Sequence, residues 1–192
     1  MQTMLPQIEF KSFLLSVVVA MSLGQALAMD GPKNWAITVG QRPSIAFDGK
    51  VIKLNKSLMS KMRHADEASF LPYVFERGAK VRARWLVLRA ASRVRGDAGY
   101  CGSGHEDRLL LVTVAEGVAT GTDEFVAQSC LNSVSMDADD FNELVSAFNQ
   151  DEQNGDLEFK QTRASTADAF RQDVIIKVVD GRVKFSAKRE SD

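Results

Sequence analysis

The residues best suited to chemistry lie in one short run, from Gly99 to Asp107, with the sequence Gly-Tyr-Cys-Gly-Ser-Gly-His-Glu-Asp. The run combines a thiol, a hydroxyl, an imidazole and two carboxylates. Three glycines surround the cysteine, and glycine permits the positive φ angles and close backbone approach that a tight binding loop needs. We therefore predict a binding loop that comprises Tyr100, Gly102, Ser103, Gly104, His105 and Glu106.

Known catalytic patterns do not match this run. Glycine-rich nucleotide loops lead from a strand into a helix, whereas this run leads into an apolar strand and contains no Gly-Lys-Ser/Thr. In the papain-type cysteine motif the nucleophile would stand at the position of Gly104, so Cys101 would not be catalytic. A Gly-x-Ser-x-Gly elbow is absent, because Ser103 is one residue too close to each glycine. A hydrolase that uses His105 with Ser103, Glu106 or Asp107 remains the alternative, since triads are defined by geometry.

A metal site is not expected in the same run. The zinc-protease pattern His-Glu-x-x-His would need a second histidine where the chain has Leu109. Adjacent residues of a strand point to opposite faces, so His105, Glu106 and Asp107 cannot all hold one ion. The sequence therefore predicts neither a metal nor a cofactor.

The first residues have the pattern of a secretory signal peptide. Phe13 to Met21 is an uncharged apolar run, and the small-x-small site Ala26-Leu27-Ala28 follows it. The run is shorter than the roughly 20 apolar residues that span a bilayer. We expect cleavage of residues 1–28 after Ala28, no membrane anchor afterwards, and a single globular domain over 29–192 in the periplasm or the extracellular space.

Charge and cysteine content restrict the function further. The net charge is −1, from 24 basic and 25 acidic residues, whereas nucleic-acid-binding proteins usually carry a strong basic excess. Cys101 and Cys130 are the only cysteines, and a disulfide is the simplest expectation for an exported pair. Such a bridge would stabilise the fold by roughly 3 to 4 kcal/mol in the chain-entropy model.

Arg82 and Arg84 share one face of a strand. They form a candidate basic patch for binding, or alternatively protect the strand end from aggregation.

Turn chemistry predicts an antiparallel sheet. Asp48-Gly49 and Asp180-Gly181 each separate two apolar runs, which is the strongest short-range signal of a hairpin. Two longer strands are predicted. Val81–Ala91 begins with Arg82 and Arg84 on one face, so we expect it to be solvent-exposed at its start and covered on both faces further along, whereas Leu109–Val114 is nearly continuous in apolar residues and is expected to be covered on both faces. A further strand, 125–131, is predicted after a turn at 120–123.

One helix is predicted over about 138–149, with Asp137 as its cap. Its apolar stripe, Phe141, Leu144, Val145 and Phe148, follows the helical period and is expected to be core. Short accessory helices are predicted near 57–64 and 165–171. The fold class is therefore α+β or mainly β, a sandwich-like antiparallel sheet with one amphipathic helix and one disulfide.

These observations favour an exported protein that is not an enzyme and that binds another protein. An inhibitor or immunity-type protein, acting on an envelope-directed enzyme or toxin, needs only a rigid scaffold and a complementary surface. The Gly-rich loop is the expected contact. Two alternatives remain: the hydrolase based on His105, and a structural envelope protein without a discrete site.

Overall fold

The computed structural model describes residues 35–76, 81–92, 104–164, 169–179 and 182–190. These residues form a mainly β structure with two short helices, α1 (Lys56–Arg63) and α2 (Phe141–Ser146). The strands are β1 (Trp35–Thr38), β2 (Ser44–Phe47), β3 (Lys50–Leu54), β4 (Glu67–Glu76), β5 (Arg82–Ala91), β6 (His105–Ala115), β7 (Val118–Ser129), β8 (Val134–Ser135), β9 (Asn149–Gln150), β10 (Leu157–Ala164), β11 (Ala169–Val179) and β12 (Arg182–Arg189). No helix of the described ranges is long and apolar enough to cross a membrane.

Both predicted hairpins are present. Asp48 (φ 49°) and Gly49 (φ 74°) join β2 to β3, and two successive positive φ angles match the twist of the paired strands. At the other hairpin, β11 and β12 pair from Val179 opposite Arg182 onward. Its turn residues, 180 and 181, lie outside the described residues.

The predicted turn at 120–123 is wrong. The chain turns earlier, at Glu116 (φ 51°) and Gly117 (φ 76°), and β7 then runs through the polar segment without interruption. Asp123 (φ 49°) is a bulge in β7, where the register with β6 shifts. Gly121 packs closely under α1: a Cβ atom there would lie 3.1 Å from the Cδ1 atom of Leu58, so the Leu58 side chain would have to shift.

The sheet is mixed, whereas an antiparallel sheet was expected. Strands β4, β5, β6 and β7 are antiparallel neighbours, and the sheet continues from β7 through β8, β10 and β11 to β12. Strand β3 joins β7 in parallel, with Lys53 opposite Val118 and Leu54 opposite Ala119. This pairing joins segments that are distant in sequence, so no local turn or periodicity reveals its direction.

Strands β5 and β6 are buried on both faces, as predicted. On one face Trp85 and Leu111 belong to a core covered by α2, β10 and β11; we call this the α2-side core. On the other face Leu86 and Leu110 belong to a core covered by α1, β2 and β3, the α1-side core. The continuous apolar sequence of the two strands follows from this double coverage.

The helices differ in part from the prediction. Helix α1 matches the accessory helix expected near 57–64, and the Asn55 side chain caps it by accepting a hydrogen bond from the Leu58 N–H. Helix α2 is shorter than 138–149, because residues 149–150 form strand β9 on β10.

The cap of α2 is Asp140, whose side chain accepts from the Glu143 N–H; Asp137 lies outside the helix with a left-handed backbone (φ 57°). Phe141, Leu144 and Phe148 are core residues, as expected from the stripe. The helix predicted over 165–171 is wrong from residue 169 onward, where β11 begins, and 165–168 lie outside the described residues.

The loop before β10 depends on Gly155. Its carbonyl accepts a hydrogen bond from the buried Trp85 Nε1–H at 2.7 Å, so the loop is fixed against the centre of β5. The residue has φ +75°, and a Cβ atom on it would lie 2.3 Å from the Phe75 ring. Any side chain at this position therefore meets both backbone strain and a steric clash.

We expect Gly155→Ala to lower the free energy of unfolding by about 3 kcal/mol, measured by urea denaturation, because the left-handed backbone and overpacking both contribute. Gly40→Ala is the matched control, since Gly40 also has a positive φ (+88°) but open space around it. This control should cost about 1 kcal/mol. Equal losses for the two variants would contradict the packing of Gly155 against Phe75.

Candidate functional site

A pocket of about 390 Å³ opens between α1 and the end of the sheet where β5 finishes and β6 begins. We call it the α1 pocket. It is lined by Ser60, Lys61, His64, Ala65, Leu88, Ala90, Ala91, Glu106, Arg108 and Leu131. Ala65 and Leu88 are almost completely buried and form an apolar floor, whereas Leu131 is half exposed. The pocket therefore combines an apolar interior with charged and polar walls.

Regular secondary structure positions the walls of the pocket. Ala90 lies opposite Glu106, and Leu88 lies opposite Arg108, in the antiparallel pairing of β5 with β6. These four side chains share a face because alternate residues of a strand point the same way. Helix α1 is held above them by Leu58 and Met62, which are fully buried in the α1-side core.

The charges on the rim are arranged around Glu124. Lys61 and Arg108 both donate hydrogen bonds to the carboxylate of Glu124 and form ion pairs with it. Burial by itself would raise the pKa of Glu124, but the hydrogen bonds and charges of Lys61 and Arg108 outweigh it and hold the pKa below its ordinary value. The rim thus carries two cationic groups that share one ionised carboxylate.

Glu106 connects the pocket to three chain segments. Its Oε1 atom accepts hydrogen bonds from the Ser92 hydroxyl at 2.9 Å and from the Leu131 N–H at 3.3 Å. The Ser92 N–H in turn donates to the Gly104 carbonyl at 2.9 Å. A buried carboxylate with two donors fixes the end of β5, the start of β6 and the segment after β7 relative to one another.

The structure brings only part of the predicted binding loop to this pocket. Glu106 lines it, and Gly104 immediately precedes β6. His105 is exposed and is not among the lining residues; its carbonyl accepts from the Cys130 N–H at 3.5 Å. The remaining predicted residues of the loop and the disulfide lie outside the described residues: Tyr100, Cys101, Gly102 and Ser103.

Asp107 forms a buried ion pair with Arg89, on the face of the sheet that packs against the α2-side core. It is fully buried, and its two oxygens accept from Arg89 Nε at 2.7 Å and Arg89 Nη2 at 3.0 Å. The hydrogen bond to Asp107 raises the pKa of Arg89 against the effect of burial. The Arg89 guanidinium also lies 5.2 Å from the centre of the Phe141 ring, at the start of α2. This pair anchors α2 to the sheet.

The two arginines of the predicted basic patch interact with other residues of the protein. Arg82 and Arg84 do share a face, but the Arg84 side chain donates to the carbonyls of Leu71 (2.7 Å) and Pro72 (3.1 Å), where β4 departs from regular pairing. Burial lowers the pKa of Arg84. Arg82 lies over the ring of Phe47 at 4.8 Å. Neither arginine lines the α1 pocket.

Sequence reasoning missed most of the pocket. Arg108 is two residues after Glu106 in one strand, so the sequence alone predicts that the two side chains share a face. Lys61, His64 and Leu131 come from other parts of the chain. Their convergence depends on α1 packing across β5 and β6, which no local pattern encodes. Among the described residues, no group of three or more His, Cys, Asp or Glu side chains is placed to hold a metal ion.

Comparison with known proteins identified no relative. No family model matches the chain, and no similar curated protein or solved structure was found.

The buried ion pair leads to a stability prediction. We expect Arg89→Met alone to lower the free energy of unfolding by about 3 to 5 kcal/mol, because it leaves the buried Asp107 carboxylate without a cation. Asp107→Leu alone should lower it by less, because Arg89 keeps the exposed Glu67 carboxylate at 3.9 Å. The double variant should lose less than the sum of the two, as measured by a denaturant double-mutant cycle. The exposed pair Arg171–Asp137 serves as the control, and Arg171→Met should cost less than about 1 kcal/mol. Additive losses at Arg89 and Asp107 would contradict their coupling.

Proposed function

We propose that this chain is an exported, non-enzymatic protein-binding module of the inhibitor or immunity type, and that the α1 pocket receives a side chain of its protein partner. The observation that carries this proposal is the combination of an apolar floor with the cationic rim of Lys61 and Arg108. Protein interfaces concentrate their binding energy where one anchor side chain enters such a desolvated pocket.

The rigidity of the pocket supports a binding role. Its walls belong to α1, β5 and β6, and Glu106 ties the adjoining segments together. A preformed pocket loses little conformational entropy when a partner binds, so more of the contact energy appears as affinity. Leu131, which is 50% exposed beside the pocket, offers apolar area that a partner would cover.

The charges indicate the kind of anchor that fits. An apolar side chain would fill the space above Ala65 and Leu88. A neighbouring carboxylate of the partner would accept hydrogen bonds from Lys61 or Arg108, in competition with Glu124. We therefore expect the partner to present an apolar residue next to an acidic one.

The geometry gives less support to the hydrolase alternative. His105 and Asp107 share a face of β6, but Asp107 is fully buried and bound to Arg89, so a catalytic role would require that pair to break. Glu106 points to the opposite face, and Ser103 lies outside the described residues. No hydrogen bond to the His105 ring is present among the described residues.

Export and the disulfide belong to the same proposal. The signal segment 1–28 lies outside the described residues, as does Cys101, so the bridge is not shown. Cys130 follows β7 directly and donates its N–H to His105, and no free cysteine is found among the described residues. Cys101 precedes His105 by four positions in the sequence, a span of about 13 Å at most. A bridge between Cys101 and Cys130 is therefore within reach.

The disulfide predicts a defined thiol content. Unreduced, denatured protein from the oxidising compartment should not react with an alkylating reagent, and reduction should expose both thiols, as measured by mass spectrometry. The Cys101→Ser/Cys130→Ser variant should lose about 3 to 4 kcal/mol of unfolding free energy. Alkylation at Cys101 or Cys130 without reduction would contradict the bridge.

The pocket predicts a loss of partner binding in one of two matched variants. We expect affinity capture from the native envelope and medium to recover one stoichiometric protein with the wild type. Leu131→Glu should weaken its binding at least about tenfold, because a carboxylate would be placed at the edge of the apolar contact. Val51→Glu, at a second exposed apolar residue, should leave binding unchanged. Both variants should show wild-type unfolding midpoints.

Two outcomes would contradict the proposed site: recovery of the partner by Leu131→Glu with wild-type affinity, or its equal loss in both variants. Failure to recover any stoichiometric partner would contradict the proposed function itself. Turnover of an ester or glycan substrate that His105→Ala abolishes would favour the hydrolase instead.

A further inference from the structure

Strand β12 ends the sheet. It pairs with β11 over its whole length, from Arg182 opposite Val179 to Arg189 opposite Gln172, without a register shift. Within the described part of the chain no strand pairs with its other side. A regular strand of this kind presents an evenly spaced row of backbone donors and acceptors, which is a template for an additional strand.

The side chains of β12 give this edge a positive charge. The strand contains four cationic residues and no acidic one: Arg182, Lys184, Lys188 and Arg189. Lys184 lies directly opposite Lys177 of β11, and like charges in such positions destabilise a sheet. Neither lysine forms an ion pair among the described residues. The other face of β12 carries Val183, which packs on the α2-side core, and Phe185, which stacks on Phe125 at 5.0 Å. At the end of this face the Arg189 guanidinium lies over the Phe170 ring at 4.7 Å.

Phe185 nevertheless remains 50% exposed. A strand added beside β12 would cover more of its ring with one face and meet Arg182 and Lys184 with the other, because side chains alternate along a strand. The sequence that fits both faces alternates apolar and acidic residues. A second copy of β12 fits poorly, since it would place cation against cation.

We propose that β12 accepts an extended acidic segment of a partner protein as an additional strand. The segment supplies the missing backbone hydrogen bonds, its carboxylates neutralise Arg182 and Lys184, and its apolar residues cover Phe185. Lys188 is not required, because it lies opposite Asp173 of β11. This surface is separate from the α1 pocket and does not depend on the function proposed for it.

The test uses ¹⁵N-labelled exported protein and two short peptides, one of alternating valine and glutamate and one of alternating valine and lysine. The acidic peptide should shift the amide resonances of Arg182–Arg189 and slow their hydrogen exchange, whereas the basic peptide should do neither. Arg182→Glu/Lys184→Glu should weaken the acidic peptide at least about tenfold and gain affinity for the basic one.

The matched control is Lys56→Glu/Arg63→Glu, which makes the same change of charge at two exposed positions of α1. It should leave the response of β12 unchanged. The proposal is overturned if the acidic peptide leaves the β12 amides unchanged and perturbs residues elsewhere, or if both double variants weaken it equally. It is also overturned if the β12 amides that face away from β11 are already protected without peptide, because the edge would then be covered. Leu131→Glu should not affect the peptide, so the two proposals fail independently.

Discussion

The structure depends on the burial of β5 and β6 on both faces. A strand that is covered on one face can expose polar residues to water on its other face. Along most of their length β5 and β6 have no solvent-exposed face. Every charged group inside them must therefore find a partner within the protein. Arg89 and Asp107 meet this requirement as directly opposed residues that form two hydrogen bonds. The pair also contacts the first residue of α2, because the Arg89 guanidinium lies 5.2 Å from the centre of the Phe141 ring.

The same constraint explains which parts of the fold were predictable from the sequence. Double coverage leaves a continuous apolar run, and the Asp48-Gly49 turn specifies its own hairpin, so these features were recognised locally. The parallel pairing of Lys53 with Val118 joins distant segments and leaves no local pattern. The polar run that contains Asp123 has turn composition, yet a bulge in β7 accommodates it, because the adjoining residues gain more by pairing with β6.

The candidate site was predictable to a smaller extent. Glu106 was identified from its place beside a glycine-rich run, and the pocket does include it. Lys61 and Arg108 give the pocket its charge and come from α1 and β6. These two elements meet only through tertiary packing, which the local sequence does not reveal. Arg84 shows the opposite failure: its type and spacing indicated a binding patch, whereas it satisfies the backbone of an irregular neighbouring strand. An arginine in sequence does not reveal whether its donors are already used.

A charged residue therefore indicates a binding surface only when the fold does not already neutralise its charge. The charge of the residue alone is a weaker guide. The chain is nearly neutral, with 24 basic and 25 acidic residues, so an area of cations without acidic partners is an uneven use of a balanced composition. In the centre of the sheet Arg89 is matched one to one by Asp107. At the α1 pocket Lys61 and Arg108 share the single carboxylate of Glu124, so the rim keeps a net positive charge. At β12 the fold instead places Lys184 against Lys177, although a single acidic residue at either position would remove the repulsion. An arrangement that lowers stability where it is easily avoided is explained most simply by a partner that supplies the opposite charge.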